Sequence, residues 1–482
     1  MNFEAVIGLE IHVEMKTRSK MFSSAPVEFG AEPNTLVSPN DIAFPGTMPT
    51  VNKQAVINAI RVANALHMSI DNTLVFDRKN YFYSDLPKGY QITQNRRPIG
   101  SEGYLEIKTD SVHRIAIERL HLEEDTCKQL HFSEYTLLDY NRSGVPLIEI
   151  VSKPDIRTGE EAMKYVEAIR SIVIYADVSD GKMEEGSLRC DVNISLRPIG
   201  SEKLGTKVEI KNLNSIANIQ KAIDFEIRRQ EGLLLTGHPI IQETRRFDET
   251  LKETVTMRVK TDAVDYKYFI EPNITPIKLS PDFINAAISS CPELAQVKEK
   301  RYLEVQGLNE RDAIIILQSK DLSKYYDDAA KYTTYYKSLA NWVTGEVIAY
   351  LKKRNIPIEN FFISPAQLAT LVNMIEKNEI SNKQGRDIFQ EMLTNSTNVK
   401  EAKEKLNIGT QINDDSVILG FVNEVLNAFP DSIKDYKDGK DRALGFLVGQ
   451  VMKRSQGKVN PGLTSKLLLE ELKKRWWIWK QS

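Results

Sequence analysis

Cysteine is scarce in this 482-residue chain: Cys127, Cys190 and Cys291 are its only three, and no two form a Cys-x-x-Cys pair. That spacing argues against a disulfide framework and a cysteine zinc centre. No apolar run approaches 18 residues, so no membrane-spanning helix is expected. Glu4 and Glu10 stand where a signal peptide needs a basic start and an apolar core, so a cytoplasmic location is expected. Charge of either sign is also lacking in excess: 64 Lys and Arg against 66 Asp and Glu leave a formal net charge of -2, from which no partner follows. Familiar signatures are missing too. There is no GxxxxGK[ST], GxGxxG, GxSxG or HExxH. No Cys–His motif or Ser–Lys amidase signature is present either, so the chain is not expected to cleave an amide.

What is present is enough sequence for two to four domains. Up to about residue 290 the chain reads as α+β. Alternating apolar and polar residues mark strands in VIGLEIHVE (6–14), RIAIERLHLEED (114–125), PLIEIVS (146–152) and CDVNISLRP (190–198). Helical spacing marks 53–68, 160–176 and 215–234. The strands outnumber the helices and do not alternate with them strictly, which argues against a doubly wound parallel sheet. From about residue 291 the pattern is helical almost throughout. A polar, turn-rich stretch at 395–414 suggests a linker near 410. The expected domains are 1–290, 291–408 and 409–482. From Asp431 to Ser482 there are 12 Lys and Arg against 6 Asp and Glu, so the tail is a candidate for phosphate contact, with a solvated lysine-rich surface as the plain alternative.

In VIGLEIHVE, Ile7, Leu9, Ile11 and Val13 alternate with Glu10, His12 and Glu14. A strand places the three polar groups on one face, about 6.5 to 7 Å apart, as a wall suited to a hard divalent cation. Taken alone, the motif is better explained as an amphipathic surface strand. The same chemistry recurs before residue 210. His121, Glu123, Glu124 and Asp125 come from HLEED, Glu149 from PLIEIVS, and Glu184, Glu185 and Asp191 from MEEGSLRCDVN. A carboxylate buried alone costs several kcal/mol, so Glu149 and Asp191 within apolar runs need a partner, and a shared cation supplies one. Arg78, Lys79, Lys88, Arg119, Arg142, Arg189 and Lys211 are spread among these segments. Acidic residues facing cations is the pattern needed to hold a nucleoside triphosphate and a phosphoryl group in transfer. Singly, most of these cations are better explained by ordinary salt bridges.

VIGLEIHVE, NYFYSDLPKGYQITQ, RLHLEED, DYNRSGVPLIEIVSKPDIR, KMEEGSLRCDVNISLRP, VEIKNLNS and QETRRFDE, in this order, resemble the B-subunit family of the aspartyl/glutamyl-tRNA amidotransferases. GKDRALGFLVGQVMKRSQGKVNPGL (439–463) resembles its tail signature. The resemblance implies a mostly antiparallel, glutamine synthetase-like cradle domain, then an all-α helical domain and a small helical YqeY-like tail. It implies an ATP- and Mg²⁺-dependent ligase that phosphorylates the side-chain carboxylate of Glu-tRNA(Gln) or Asp-tRNA(Asn). Ammonia then displaces the phosphate. The implied partners are an A subunit that releases ammonia from glutamine, a C subunit completing a heterotrimer, and tRNA(Gln) or tRNA(Asn) misacylated with Glu or Asp, with neither membrane nor DNA.

By motif, the resemblance implies Glu10, His12, Glu124, Glu149 and Asp191 as metal ligands, with Glu184 and Glu209 as further candidates. Charge and position make Lys79, Lys88, Lys211 and Arg189 candidate catalytic cations. Arg78, Lys79, Lys88 and Arg142, with Tyr81, are candidate ATP contacts, and Tyr81, Tyr83 and Tyr90 could stack on a terminal adenine or pack on a sheet. Two features depart from the family. Ser38, Pro39, Asn40 and Asp41 stand where many relatives carry Cys-Pro-x-Cys, so no zinc is expected. The chain also ends in KKRWWIWKQS, with three of its four tryptophans within seven residues. The rival readings are a free-standing carboxylate–ammonia ligase and a non-catalytic tRNA-binding scaffold. Salt-sensitive tRNA binding separates the first, and an Asp191→Ala variant that keeps ATP-dependent activity would favour the second.

Overall fold

The computed structural model describes residues 3–259, 265–409, 412, 414–437, 440, 442–455 and 457–479. It divides into two compact units, one up to Ala295 and one from Gln296. The first unit is built on a nine-stranded sheet of β1 (Phe3–Glu14), β2 (Ser69–Ile70), β6 (Gly100–Lys108), β7 (Val112–Glu124), β10 (Pro146–Ser152), β11 (Leu188–Pro198), β12 (Val208–Lys211), β13 (Glu243–Asp248) and β14 (Glu253–Val259). The order across it is β14-β13-β12-β11-β1-β10-β7-β6-β2. Every pairing is antiparallel except β12 with β13. A three-stranded sheet joins β4 (Asp77–Asn80), β5 (Tyr90–Thr93) and β15 (Phe269–Ile270). Two further pairs are β3 (Thr73–Leu74) with β16 (Ile277–Lys278), and β8 (Lys128–His131) with β9 (Thr136–Asp139).

The period-2 pattern decides which face of the large sheet is covered. Leu9, Ile11 and Val13 of β1, Leu120 and Leu122 of β7, Ile148 and Ile150 of β10, and Val192 and Ile194 of β11 are all buried in one apolar cluster. Against it pack α1 (Lys53–Ala65), α2 (Gly159–Tyr175) and α3 (Ile216–Leu235). Each helix begins at a polar cap, where the side chains of Asn52, Thr158 and Ser215 accept from first-turn amides. Thr158 and Glu161 cap reciprocally. With the helices on that side, the opposite face keeps its polar side chains.

The second unit is helical, as the sequence predicts. Its buried apolar residues form two clusters, one from Tyr302 to Ala402 and one from Ile418 to Leu472. The last helix, Pro461–Trp479, contains the three clustered tryptophans, whose side chains lie outside the described residues. No described helix is long and apolar enough to cross a membrane.

Candidate phosphoryl-transfer site

Antiparallel register assembles the site. Across adjacent strands His121 of β7 faces Glu149 of β10, Glu149 faces His12 of β1, and His12 faces Arg189 of β11. One step along β1, Glu10 faces Asp191. Because alternate residues share a face, Glu123 joins His121 on the polar side and Lys211 of β12 comes beside Asp191. All of these except Arg189 line a cavity of about 590 Å³ that also includes Lys79, Arg119, Glu209, Arg258, Tyr266 and Tyr268.

At one end of the cavity, His12 Nε2 lies 3.5 Å from both Glu123 Oε1 and Glu149 Oε2. His121 Nε2 lies 3.1 Å from Glu149 Oε2 and 3.7 Å from Glu123 Oε2. Burial works against charging either imidazole, but the carboxylates outweigh it. The pKa of His12 is raised by Glu149 and Glu123, and that of His121 is pushed up to about 9 by the same two residues. Burial alone would raise Glu149; the two histidines instead hold it well below the carboxylate range.

One ligand atom from each of His12, Glu123 and Glu149 lies within 4.8 Å of the others. One imidazole nitrogen and two carboxylates suit a small divalent cation. The buried His121 Nδ1 has no hydrogen-bond partner among the described residues.

At the other end, Lys211 Nζ lies 2.5 Å from Asp191 Oδ2 and 3.2 Å from Glu209 Oε1. Burial lowers the pKa of Lys211, but the two carboxylates raise it overall. Glu10 Oε1 accepts from Asn193 Nδ2 at 2.8 Å. Lys79, on β4, has its Nζ 5.0 Å from the Tyr266 ring centre and 5.8 Å from that of Tyr81. Its burial also favours the neutral amine, yet the charges of Glu123 and Glu149 raise its pKa. Lys79 therefore presents a firmly protonated ammonium to the cavity.

The chain matches the model of the GatB/GatE catalytic domain over residues 5–285 and that of the GatB domain over 324–472. It is 48% identical to the B subunit of the aspartyl/glutamyl-tRNA(Asn/Gln) amidotransferase of Bacillus velezensis over 477 residues, covering 98% of this chain and 100% of the relative. The corresponding B subunits from Bacillus cereus and Bacillus pumilus are also 48% identical, with the same shares covered. The chain belongs to the B-subunit family of the aspartyl/glutamyl-tRNA amidotransferases.

In this family member the expected residues part company. Glu10, His12, Glu149, Asp191, Lys79, Lys211 and Glu209 line the cavity, but Glu124 does not. The Glu124 side chain points away from Glu123, pairs with Lys88, and accepts from the Ile92 amide at 3.1 Å. Glu123 occupies the place beside His12. Arg189 is next to His12 in register, yet its guanidinium is committed to Asp125 at 2.6 Å. Arg142 donates to the carbonyls of Thr126 and Cys127. Arg78 is held by Glu271, at 2.5 and 3.0 Å, and stacks over Tyr90. Tyr83 and Glu184 are exposed and outside the cavity.

The motif resemblance does not single out His121 and Glu123, although their signal is present in the sequence. In RLHLEED the apolar Leu120 and Leu122 fix the parity, placing His121 and Glu123 on the polar face and Glu124 opposite. At the departure from the family pattern, Asp41 is the hub of its loop. Asp41 accepts from Lys20 Nζ at 3.0 Å, Ser23 Oγ at 2.7 Å and the Ser38 amide at 2.8 Å, and both Lys20 and Asp41 are buried.

Proposed function

We propose that this chain is the ATP- and Mg²⁺-dependent half of the amidotransferase acting on Glu-tRNA(Gln) or Asp-tRNA(Asn). In the reaction, a side-chain carboxylate oxygen attacks the γ-phosphorus and ADP leaves. Ammonia then attacks the acyl carbon, and phosphate leaves with the electron pair of the broken C–O bond. The observation that carries this reading is the segregation of charge in one cavity: His12, Glu123 and Glu149 at one end, with Lys79 facing them from a separate sheet.

His12, Glu123 and Glu149 would hold the divalent cation, with Glu10, Asp191 and Glu209 as a further acidic group nearby. When bound, a divalent cation neutralises phosphate oxygens and orients the triphosphate. Lys79 supplies a fixed positive charge toward the phosphoryl oxygens, placed before reaction rather than reorganised during it. Lys211 is held by Asp191 and Glu209 and orients those carboxylates. Arg189 and Lys88 act through the acids they pair with, Asp125 and Glu124.

The accompanying organisation is a cradle over 1–290, a helical domain over 291–408 and a tail over 409–482, with the basic tail toward the tRNA and A and C subunits completing a cytoplasmic heterotrimer. Supporting it are the lack of an amidase signature in the chain and the excess of Lys and Arg after Asp431. The test is amide formation on Glu-tRNA(Gln) by the reconstituted trimer, omitting glutamine, Mg²⁺, ATP and each subunit in turn. Gln-tRNA is expected only when all are present. Amidation of free glutamate without tRNA would instead establish a small-molecule ligase.

A further inference from the structure

The carboxylates of the cavity do not share its cations evenly. Glu123 and Glu149 face the imidazoles of His12 and His121, while Asp191 and Glu209 both hold Lys211. Glu10, the remaining carboxylate among the described lining residues, forms no ion pair with a described residue. Register sharpens the imbalance, because Glu10 stands directly opposite Asp191, and like charges facing each other across a strand pair are destabilising. Asn193 Nδ2 donates to Glu10 Oε1 at 2.8 Å. The other end of that amide, Asn193 Oδ1, is buried with no hydrogen-bond partner among the described residues. An unpaired carboxylate and an unpaired carbonyl oxygen thus stand together, and leaving such acceptors without donors is costly. A ligand that satisfies both brings N–H donors and positive charge.

Position selects the ligand. His12 is two residues from Glu10 on the same face of β1, a step of about 6.5 to 7 Å. In an aspartyl or glutamyl group the α-nitrogen lies roughly 5 to 6 Å from the side-chain carboxylate oxygens at full extension. A substrate whose carboxylate is phosphorylated beside His12 therefore brings its α-ammonium to Glu10. There is room for it. On the side of Glu10 away from His12, Gly8 contributes no side chain, and a smaller cavity of about 220 Å³ opens that Asn193 and Ser152 also line. A second divalent cation fits less well. The ligand atoms that converge are those of His12, Glu123 and Glu149, with Glu10 outside the group, and the Lys211 ammonium beside Asp191 repels such an ion. The incoming nitrogen donor fits less well too, since it must attack as neutral ammonia and a bare carboxylate would hold it protonated.

We propose that Glu10, with the carbonyl oxygen of Asn193, seats the α-ammonium group of the aminoacyl-tRNA and so aims the side-chain carboxylate at the metal end of the cavity. The inference rests on the amidotransferase reading above. It makes Glu10 a specificity-determining residue: it separates an aminoacyl ester from an ester of the same shape that lacks the positive charge.

The experiment compares Glu-tRNA(Gln) with its deaminated form, α-hydroxyglutaryl-tRNA(Gln), using the full chain reconstituted with its partner subunits. Wild-type protein should prefer Glu-tRNA by about 30-fold in kcat/KM, the size expected of a hydrogen bond to a charged group. Glu10→Gln should bring that preference below about threefold, and Glu10→Asp, which keeps the charge, should retain part of it. Mn²⁺ calorimetry should give the same stoichiometry for wild type and Glu10→Gln. The melting temperature of Glu10→Gln should stay level or rise, since the change removes an unpaired charge, and this separates a lost contact from a lost fold. The assignment is overturned if wild-type protein uses both tRNAs equally or if Glu10→Gln keeps the full preference. Loss of a bound Mn²⁺ from Glu10→Gln would overturn it in favour of a second metal site. A raised KM for ammonium chloride with the preference intact would overturn it in favour of a seat for the nitrogen donor. Wild-type protein that makes no Gln-tRNA from Glu-tRNA with either glutamine or ammonium chloride would overturn the amidotransferase reading itself.

Discussion

Replacing Glu149 with Gln keeps the side chain's size and removes the charge between the buried imidazole of His121 and the partly buried one of His12. Glu149 Oε2 lies 3.1 Å from His121 Nε2 and 3.5 Å from His12 Nε2. At an effective dielectric constant of about 20, a unit pair at the shorter distance is worth about 5 kcal/mol before desolvation. Burial takes part of this back, leaving His121 with a pKa of about 9 in place of 6.5, a shift worth roughly 3 kcal/mol. A histidine whose pKa is raised by folding adds stability below its unfolded pKa, and that stability is lost as pH rises through the folded one. The metal-free protein should therefore lose up to about 3 kcal/mol between pH 6.5 and 9.5. In Glu149→Gln the remaining carboxylate near His121 is Glu123, at 3.7 Å. The histidine midpoint should fall by about one unit or more, and the slope of stability with pH should flatten. Divalent-cation affinity at pH 7.5 should fall on the order of 100-fold, because an amide replaces a charged ligand at a cost of about 3 kcal/mol. Histidine NMR titration, melting curves from pH 6 to 10 and Mn²⁺ calorimetry read these three effects. An unchanged histidine midpoint together with unchanged Mn²⁺ affinity would refute the reasoning.

Neighbouring glutamates should behave differently. Glu123→Gln is expected to weaken Mn²⁺ binding in calorimetry, whereas Glu124→Gln should leave it intact, since that side chain is committed to Lys88; equal losses would contradict the assignment by parity. Lys79→Met should lower kcat for Gln-tRNA formation by about 100-fold or more with little change in the KM for tRNA, as expected of a charge used chiefly in the transition state; a pure KM effect would make it a binding residue. Asp41→Ala strands the fully buried Lys20 ammonium and should cost about 3 to 5 kcal/mol in denaturant unfolding. With Mg²⁺ held in excess, a zinc-selective chelator should leave the wild-type melting temperature unchanged, because the Lys20–Asp41 ion pair ties that loop.

The alternation in VIGLEIHVE was enough to place Glu10, His12 and Glu14 on one face, and the structure shows that face turned away from the helices. Helix positions were legible for local reasons: expected helices at 53–68, 160–176 and 215–234 correspond to Lys53–Ala65, Gly159–Tyr175 and Ile216–Leu235. Register was not legible. That His12 meets Glu149 while Glu10 meets Asp191 depends on how far three strands slide past one another, which no single strand encodes. The cations were the least legible, because an arginine's role depends on which acid reaches it. Arg78 and Lys79 are adjacent on β4 and so point to opposite sides of it. One is clamped by Glu271 while the other reaches the cavity.

That divergence has a chemical consequence. A cation already held in a close ion pair must break a charge-assisted hydrogen bond before it can neutralise phosphate, and the exchange returns little. Arg78, Lys88 and Arg189 are in that position. Lys79 meets aromatic rings at 5.0 and 5.8 Å rather than a close acid, and the charges of Glu123 and Glu149 keep it protonated. Among the cations proposed from sequence, Lys79 is therefore the one whose charge can go to an incoming phosphoryl group at the smallest cost, which is why its substitution should act on kcat.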